Sequence, residues 1–112
     1  MQLFETEDGR IQYDNMPDNY KYEFEYPSSS FWNQTPTWIY IAEIRAQEKF
    51  KNKGATLLEE FISILPPNTG IVLNAVPLDD NPTFSQLQAW YKKRGFKEIN
   101  EHNISLYLIT GN

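Results

Sequence analysis

The sequence predicts a mixed α/β (α+β) fold, in which two main helices lie on one β-sheet of about six or seven strands. Short segments rich in aromatic and β-branched residues recur along the chain, as is typical of strands. Two other segments space their apolar residues three and four positions apart, as is typical of amphipathic helices. The chain has 112 residues, of which 40% are hydrophobic. This predicts a single domain, residues 1–112, with one core.

The N-terminal part predicts strands and loops only. Segments 10–13 and 20–26 read as strands of an antiparallel meander with one exposed face. Segment 27–37 is predicted to be a loop, because prolines and serines interrupt it. It nevertheless contains Phe31 and Trp32, which either pack on the core or bind a partner. The sequence leaves both interpretations open.

The middle of the chain predicts a strand, a helix and a second strand. Segment 38–46 is rich in aromatic and β-branched residues and is predicted to be the central strand. Segment 54–65 has helical apolar spacing, and segment 71–76 is a short apolar strand. If the two strands are parallel, the three elements form a right-handed βαβ unit.

The last third predicts a second helix and two strands. Either Thr83 or Ser85 could cap this helix, which is expected to end before Gly95. Strands 96–99 and 104–109 follow and are expected to form a hairpin.

The composition excludes several classes of site. The chain has no cysteine, which excludes a disulfide scaffold, a thiolate nucleophile and a zinc–thiolate site. Its single histidine, His102, excludes a site built from several histidines, and we predict no metal. No apolar run is long enough to span a bilayer, and residues 1–10 do not resemble a secretory signal. We therefore expect a soluble, cytoplasmic protein without a membrane partner.

The charge is unevenly distributed along the chain. Residues 1–40 carry seven acidic and two basic residues, whereas the remaining residues carry eight of each. An acidic half attracts a cationic partner and repels nucleic acid, so we expect no nucleic-acid partner. Two basic clusters lie in the other half and either hold a small polyanion or form solvated surface. They consist of Lys49, Lys51 and Lys53, and of Lys92, Lys93, Arg94 and Lys97.

The start of the first helix has the features of an anion-binding site. A strand ends, a short basic loop follows, and the helix begins with Gly54, Ala55 and Thr56. The first N–H groups of a helix have no partner within it and carry partial positive charge, so a phosphate binds well there. Gly54 lets a ligand approach the main chain closely. The spacing of a Walker A loop is absent, which disfavours a nucleotide triphosphatase.

Two segments together resemble the GNAT N-acetyltransferase superfamily. In that family the loop before the first of these helices binds the pyrophosphate of acetyl-coenzyme A, and the matching residues here are Lys51, Gly54 and Thr56. A later helix ends in a Tyr-x-x-x-Gly-Phe pattern, which Tyr91, Gly95 and Phe96 match fully. The resemblance covers about residues 38–109. The helices that usually follow the family's first strand have no counterpart, so the chain resembles a compact member with a more open acceptor side.

The resemblance implies an acetyl-CoA-dependent N-acetyltransferase, in which a primary amine attacks the thioester directly. Tyr91 is the implied general acid, with a packing residue of the core as the alternative. Glu43 is a candidate general base, with a solvated or substrate-binding carboxylate as the alternative. The main chain of the central strand would pair with the pantetheine arm. The coenzyme-binding residues expected are Ile44, Arg45, Ala46, Lys51, Asn52, Lys53, Gly54, Ala55 and Thr56.

The acceptor is expected to be a cationic amine, such as a protein lysine, because the first forty residues are acidic. Asp79 and Asp80 either bind this acceptor or cap the second helix, and His102 is a further candidate base. Some of the four residues Lys49, Lys53, Lys92 and Lys93 are expected to contact coenzyme phosphates. The alternative function is a catalytically inactive GNAT-fold binding module that acts through protein–protein interaction. The sequence leaves the oligomeric state open, a homodimer included.

Overall fold

The computed structural model describes residues 1–16, 29–46, 53–75, 83–99 and 105–111. Within these ranges it contains one mixed sheet of six strands and two main helices, which confirms the predicted α+β class. The predicted strand 20–26 lies outside the described residues. In chain order the elements are β1 (Gln2–Thr6), β2 (Gly9–Asn15), α1 (Ser29–Trp32), β3 (Thr37–Ala46), α2 (Lys53–Ile64), β4 (Thr69–Asn74), α3 (Phe84–Lys93), β5 (Lys97–Glu98) and β6 (Ser105–Ile109).

The six strands lie in the order β1-β2-β3-β4-β6-β5. β3 and β4 are parallel, and every other pair of neighbours is antiparallel. The predicted βαβ unit is therefore formed by β3, α2 and β4, and its two strands are adjacent in the centre of the sheet. None of the helices in the described ranges is long and apolar enough to cross a membrane.

The first strand, β1, was not predicted from the sequence. It pairs with β2 across the two-residue turn of Glu7 and Asp8. As an edge strand it has one neighbour, and its apolar residue Leu3 is 53% exposed. Because Leu3 and Phe4 are adjacent, the sequence of β1 does not show the alternation of apolar and polar residues that is typical of a half-buried strand. Phe4 attaches it to the core, because its ring lies 5.4 Å from the ring of Phe61 on α2.

The prediction of a loop throughout 27–37 is wrong, because α1 forms one helical turn within it. Trp32 is 7% exposed, and its ring lies 5.1 Å from that of Trp38. Phe31 stacks on Trp38 at 5.3 Å. The indole N–H of Trp38 donates a hydrogen bond of 2.7 Å to the carbonyl of Trp32. Of the two interpretations of Phe31 and Trp32, packing on the core is the one observed.

The sheet buries a different core on each face. We call the face covered by α2 and α3 the helix side, and the face covered by α1 the α1 side. The helix-side core consists of Ile11, Ile39, Ile41, Leu57, Leu58, Phe61, Ile71, Leu73, Ala75, Tyr91, Phe96 and Leu106. The α1-side core consists of Met16, Trp32, Trp38 and Val72. Because strand side chains alternate, these two sets fix the faces of the remaining residues on the same strands wherever the pairing register is regular.

The ends of α3 follow from its sequence. The Thr83 hydroxyl accepts a hydrogen bond from the N–H of Gln86, and the Gln86 side chain accepts from the N–H of Thr83, which is a capping box. At the other end, the N–H of Gly95 donates to the carbonyl of Lys92 and the N–H of Phe96 to that of Tyr91. This is a Schellman motif, and Gly95 adopts the φ of +99° that it requires.

Candidate active site

The pairing of β3 with β4 stops before β3 ends. The last parallel pair is Ile41 with Leu73, whereas β3 continues to Ala46. On its other edge β3 stays paired with β2 as far as Ala46, which lies opposite Gly9. Within the described residues, β3 therefore has an unpaired edge from residue 42 to residue 46. We call the space between this edge and the end of β4 the gap.

A β-bulge determines which main-chain groups point into the gap. Tyr13 pairs with Ile41 and Gln12 with Glu43, so Ala42 is an extra residue on β3. The bulge coincides with the last β3–β4 pair. It shifts the alternation of β3 by one residue, so the main-chain groups after it change sides.

The direction of these groups follows from one hydrogen bond. The N–H of Met16 donates to the carbonyl of Trp38 at 3.0 Å, so even-numbered residues of β2 direct their main-chain groups toward β3. Their partners Glu43 and Arg45 consequently point toward β2. The main-chain groups of Ile44 and Ala46 point the other way, into the gap.

The first turn of α2 lies at the end of the sheet where β3 stops. The helix begins at Lys53 and continues with Gly54, Ala55 and Thr56, and its first turn contains no acidic residue. The early N–H groups of this helix have no partner within it, and no carboxylate of that turn competes with an anion. Lys51 and Asn52 lie outside the described residues.

Tyr91 is a buried residue of α3. It is 7% exposed, and its ring lies 5.0 Å from the ring of Trp90 and 5.4 Å from that of Phe96. Burial raises the pKa of Tyr91 from its ordinary value of 10.0 to about 12, because the charged phenolate loses its hydration there. The phenol therefore remains protonated throughout the neutral range.

Glu43 lies on the α1 side of the sheet, opposite to Tyr91. Ile44 packs against the helix-side core, so its neighbour Glu43 must point to the other face. Its Oε1 accepts a hydrogen bond of 2.6 Å from Nε of Arg45. Oε2 of Glu43 has no partner among the described residues. The structure thus does not place the candidate acid and the candidate base on one face.

Asn74 was missed by the sequence analysis. It is the last residue of β4, one position after Leu73, and so lies where the gap begins. It is exposed on the α1 side, and its Oδ1 accepts a hydrogen bond of 2.6 Å from the Ser105 hydroxyl. The only signal in the sequence is a polar amide that ends an otherwise apolar strand.

The other predicted residues divide into two groups. Lys92 forms an ion pair with Glu98 at 2.5 Å, and Arg94 stacks on Trp90 at 3.8 Å, so these two cations already have structural partners. Lys93 is exposed. Four other candidates lie outside the described residues: Lys49, Asp79, Asp80 and His102. The described part of the chain contains no group of three or more side chains suited to hold a metal ion.

Comparison of the chain with protein families, with curated proteins and with solved structures found no match.

Proposed function

We propose that this protein is an acetyl-CoA-dependent N-acetyltransferase that transfers the acetyl group to a primary amine of a cationic acceptor. The observation that carries the proposal is the unpaired edge of β3, which directs the main-chain groups of Ile44 and Ala46 into the gap. A helix that begins at Lys53 follows at the same end of the sheet. One end of the site thus suits an extended amide-containing arm, and the other suits an anion.

The coenzyme would bind mainly through the main chain. Its pantetheine arm contains amide groups, which can pair with Ile44 and Ala46 as an added strand does. Arg45 between them directs its main chain toward β2 and its exposed side chain to the α1 side. The N–H groups at the start of α2, those of Gly54 and Ala55 among them, would donate hydrogen bonds to the pyrophosphate, and Lys51, Asn52, Lys53 and Thr56 would complete that site.

The reaction joins the acceptor nitrogen to the acyl carbon. The amine lone pair forms the new C–N bond, the C–S bond breaks, and the sulfur leaves with the electron pair. The amine loses a proton and the thiolate gains one. Positioning the two reactants contributes roughly 7–11 kcal/mol in such reactions, so a site built chiefly from main-chain groups is adequate for much of the rate.

Tyr91 would act on the departing sulfur. With a pKa of about 12 it keeps its proton, as a donor must. An ordinary thiol has a pKa of about 8.5, so complete transfer from this phenol to a thiolate is energetically unfavourable. We therefore assign to Tyr91 chiefly a hydrogen bond to the developing thiolate, with the final proton supplied by solvent.

Glu43 would bind the acceptor rather than deprotonate it. Its Oε1 is held by Arg45, which leaves Oε2 to contact a cation on the α1 side. An acceptor that arrives on this face meets the gap from the side opposite to Tyr91. Glu43→Gln is then expected to raise the KM for a cationic acceptor while the affinity for acetyl-CoA stays the same.

The test is a calorimetric titration of acetyl-CoA into the purified protein, with a thiol-release assay on the same sample. We expect binding, slow release alone, and faster release when a lysine-containing peptide or a polyamine is added. Tyr91→Phe should lower the stimulated rate roughly 100-fold at unchanged coenzyme affinity, the effect of losing one hydrogen-bond donor to the charge that develops in the transition state. Tyr13→Phe, which removes a hydroxyl from the helix side elsewhere, is the control. Absence of binding at millimolar acetyl-CoA would contradict the proposal.

A coenzyme-binding module without transferase activity is the second candidate. The observation that favours it is the packing of Tyr91 between Trp90 and Phe96, which a purely structural residue would also show. The same experiment separates the two. Binding of acetyl-CoA without amine-stimulated thiol release would support the module, which would then act through a protein partner.

A further inference from the structure

The gap has a closed end and an open end. It begins where Ile41 and Leu73 make the last β3–β4 pair, and beyond that pair β3 continues alone to Ala46. An arm whose phosphates lie at α2 therefore runs back along β3 past Ala46 and Ile44. The group at the far end of that arm arrives at the closed end. Asn74, one residue after Leu73, lies there.

The Asn74 side chain is held by a rigid neighbour. Asn74 pairs with Ser105 of β6, which is 1% exposed. The Ser105 hydroxyl donates to Oδ1 of Asn74 at 2.6 Å. Because the two terminal atoms of an amide diverge from one carbon, an Oδ1 directed at β6 turns Nδ2 away from β6, which lies on the side of β4 opposite to the gap. Within the described part of the chain, Nδ2 has no hydrogen-bond partner.

We propose that the Nδ2 group of Asn74 donates a hydrogen bond to the acyl carbonyl oxygen of bound acetyl-CoA, and that Ser105 is the positioning residue that fixes this amide. This inference rests on the proposed function. A carbonyl oxygen accepts from an amide N–H, and it gains negative charge when an amine attacks its carbon. Asn74 and Glu43 share the α1 side, so the same face binds the carbonyl and the incoming amine.

The acyl carbonyl is the chemical difference that makes the inference testable. Acetyl-CoA has this oxygen and free coenzyme A lacks it, whereas the phosphates and the pantetheine arm are common to both. Calorimetric titrations with each ligand therefore separate the Asn74 contact from the rest of the site, and no acceptor has to be identified.

We expect Asn74→Ala to weaken acetyl-CoA binding roughly 3- to 10-fold, the range of one neutral hydrogen bond, and to change coenzyme A binding less than about 2-fold. Asn74→Asp keeps an acceptor for Ser105 but loses both N–H donors, so its effect on acetyl-CoA should be at least as large. Ser105→Ala should also weaken acetyl-CoA selectively, because the amide can then rotate. Asn33→Ala, an exposed amide next to α1, is the matched control and should change neither affinity.

Two results would overturn the inference while the proposed function stands. One is unchanged acetyl-CoA affinity in both Asn74 variants. The other is an equal loss for the two ligands, which would indicate a structural defect rather than a lost contact. Failure of the unsubstituted protein to bind either ligand would overturn the proposed function and this inference with it. Thermal unfolding of each variant checks that it is folded.

Discussion

Adding one methyl group at Gly70 should destabilise the protein, because the ring of Trp38 occupies the space. Gly70 lies on β4 directly beside Trp38 on β3. A Cβ at Gly70 would lie 2.5 Å from Cδ2 and 2.6 Å from Cζ3 of that ring, and closer still to Cε3. The ring cannot easily move, since it is 5% exposed and its N–H donates to the carbonyl of Trp32. Gly70→Ala must therefore displace Trp38 or separate two central strands.

The expected cost combines three contributions. Overpacking a well-filled core costs about 1–3 kcal/mol. Displacing Trp38 also strains or breaks its hydrogen bond to Trp32, which contributes about 0.5–1.5 kcal/mol. The lower backbone entropy of alanine in the unfolded chain returns about 0.4–1 kcal/mol. The midpoints of these ranges combine to a fall of about 2 kcal/mol in the free energy of unfolding, or roughly 10 °C in Tm for a domain of this size.

The assay is urea unfolding followed by circular dichroism, with Trp38→Leu as the second variant of a double-mutant cycle. Leucine removes the six-membered part of the indole that the new methyl group would meet. In the Trp38→Leu background, Gly70→Ala should be neutral or slightly stabilising. The reasoning is refuted if Gly70→Ala alone leaves the midpoint unchanged, or if it costs as much without the indole as with it.

Three further changes test other parts of the molecule by urea unfolding. The titration of Tyr91 should lower the free energy of unfolding by about 1.4 kcal/mol between neutral pH and pH 11. The reason is that the pKa of Tyr91 is 10.0 when exposed and about 12 in the folded protein. This contribution to stability is complete below pH 10 and is lost as the pH rises to 12. Tyr91→Phe should lack this loss, and an unchanged pH dependence would contradict the assignment. Thr83→Ala should cost about 1 kcal/mol because the cap to Gln86 is lost, and Thr83→Ser should restore it. Phe61 is fully buried, so Phe61→Ala should lower the free energy of unfolding by about 3–5 kcal/mol. Ile64 on the same helix is 59% exposed, so Ile64→Ala should lower it by less than about 0.5 kcal/mol. Equal costs would contradict the assignment of Phe61 to the core.

The two main helices could be predicted because their signals are local. Apolar residues recur at helical spacing in α2, and Thr83 and Gly95 mark the ends of α3 through their own hydrogen bonds and dihedral angles. The helical turn of α1 depends instead on a distant contact. Its residues are poor helix formers, and burial of Trp32 against Trp38 outweighs that tendency. No window of neighbouring residues contains this information.

The candidate site was predictable in chain order but not in geometry. The sequence placed a strand before a glycine-containing helix start, and the structure has both. The gap depends on where β3 and β4 stop pairing and on the extra residue Ala42. The sequence has no glycine or proline near Ala42 that would predict a bulge there. Asn74 and Ser105 are 31 positions apart and meet only because β4 and β6 are neighbours. Contacts between strands that are distant in the chain thus could not be predicted from this sequence alone.

Under the proposed function, the gap would let residues on opposite faces of the sheet act on one thioester. A continuous sheet separates its two faces, so Tyr91 and Glu43 could not serve the same reaction across paired strands. Where β3 and β4 are unpaired, a planar thioester lying in the plane of the sheet can be approached from both faces, so an amine can attack its carbonyl carbon from one face while a donor reaches its sulfur from the other. Under the proposed function, Tyr91 therefore stabilises the departing thiolate, Glu43 binds the amine, and Asn74 binds the acyl carbonyl. Substitutions on the helix side should then change the rate of thiol release, whereas substitutions on the α1 side should change acceptor and acyl-group affinity.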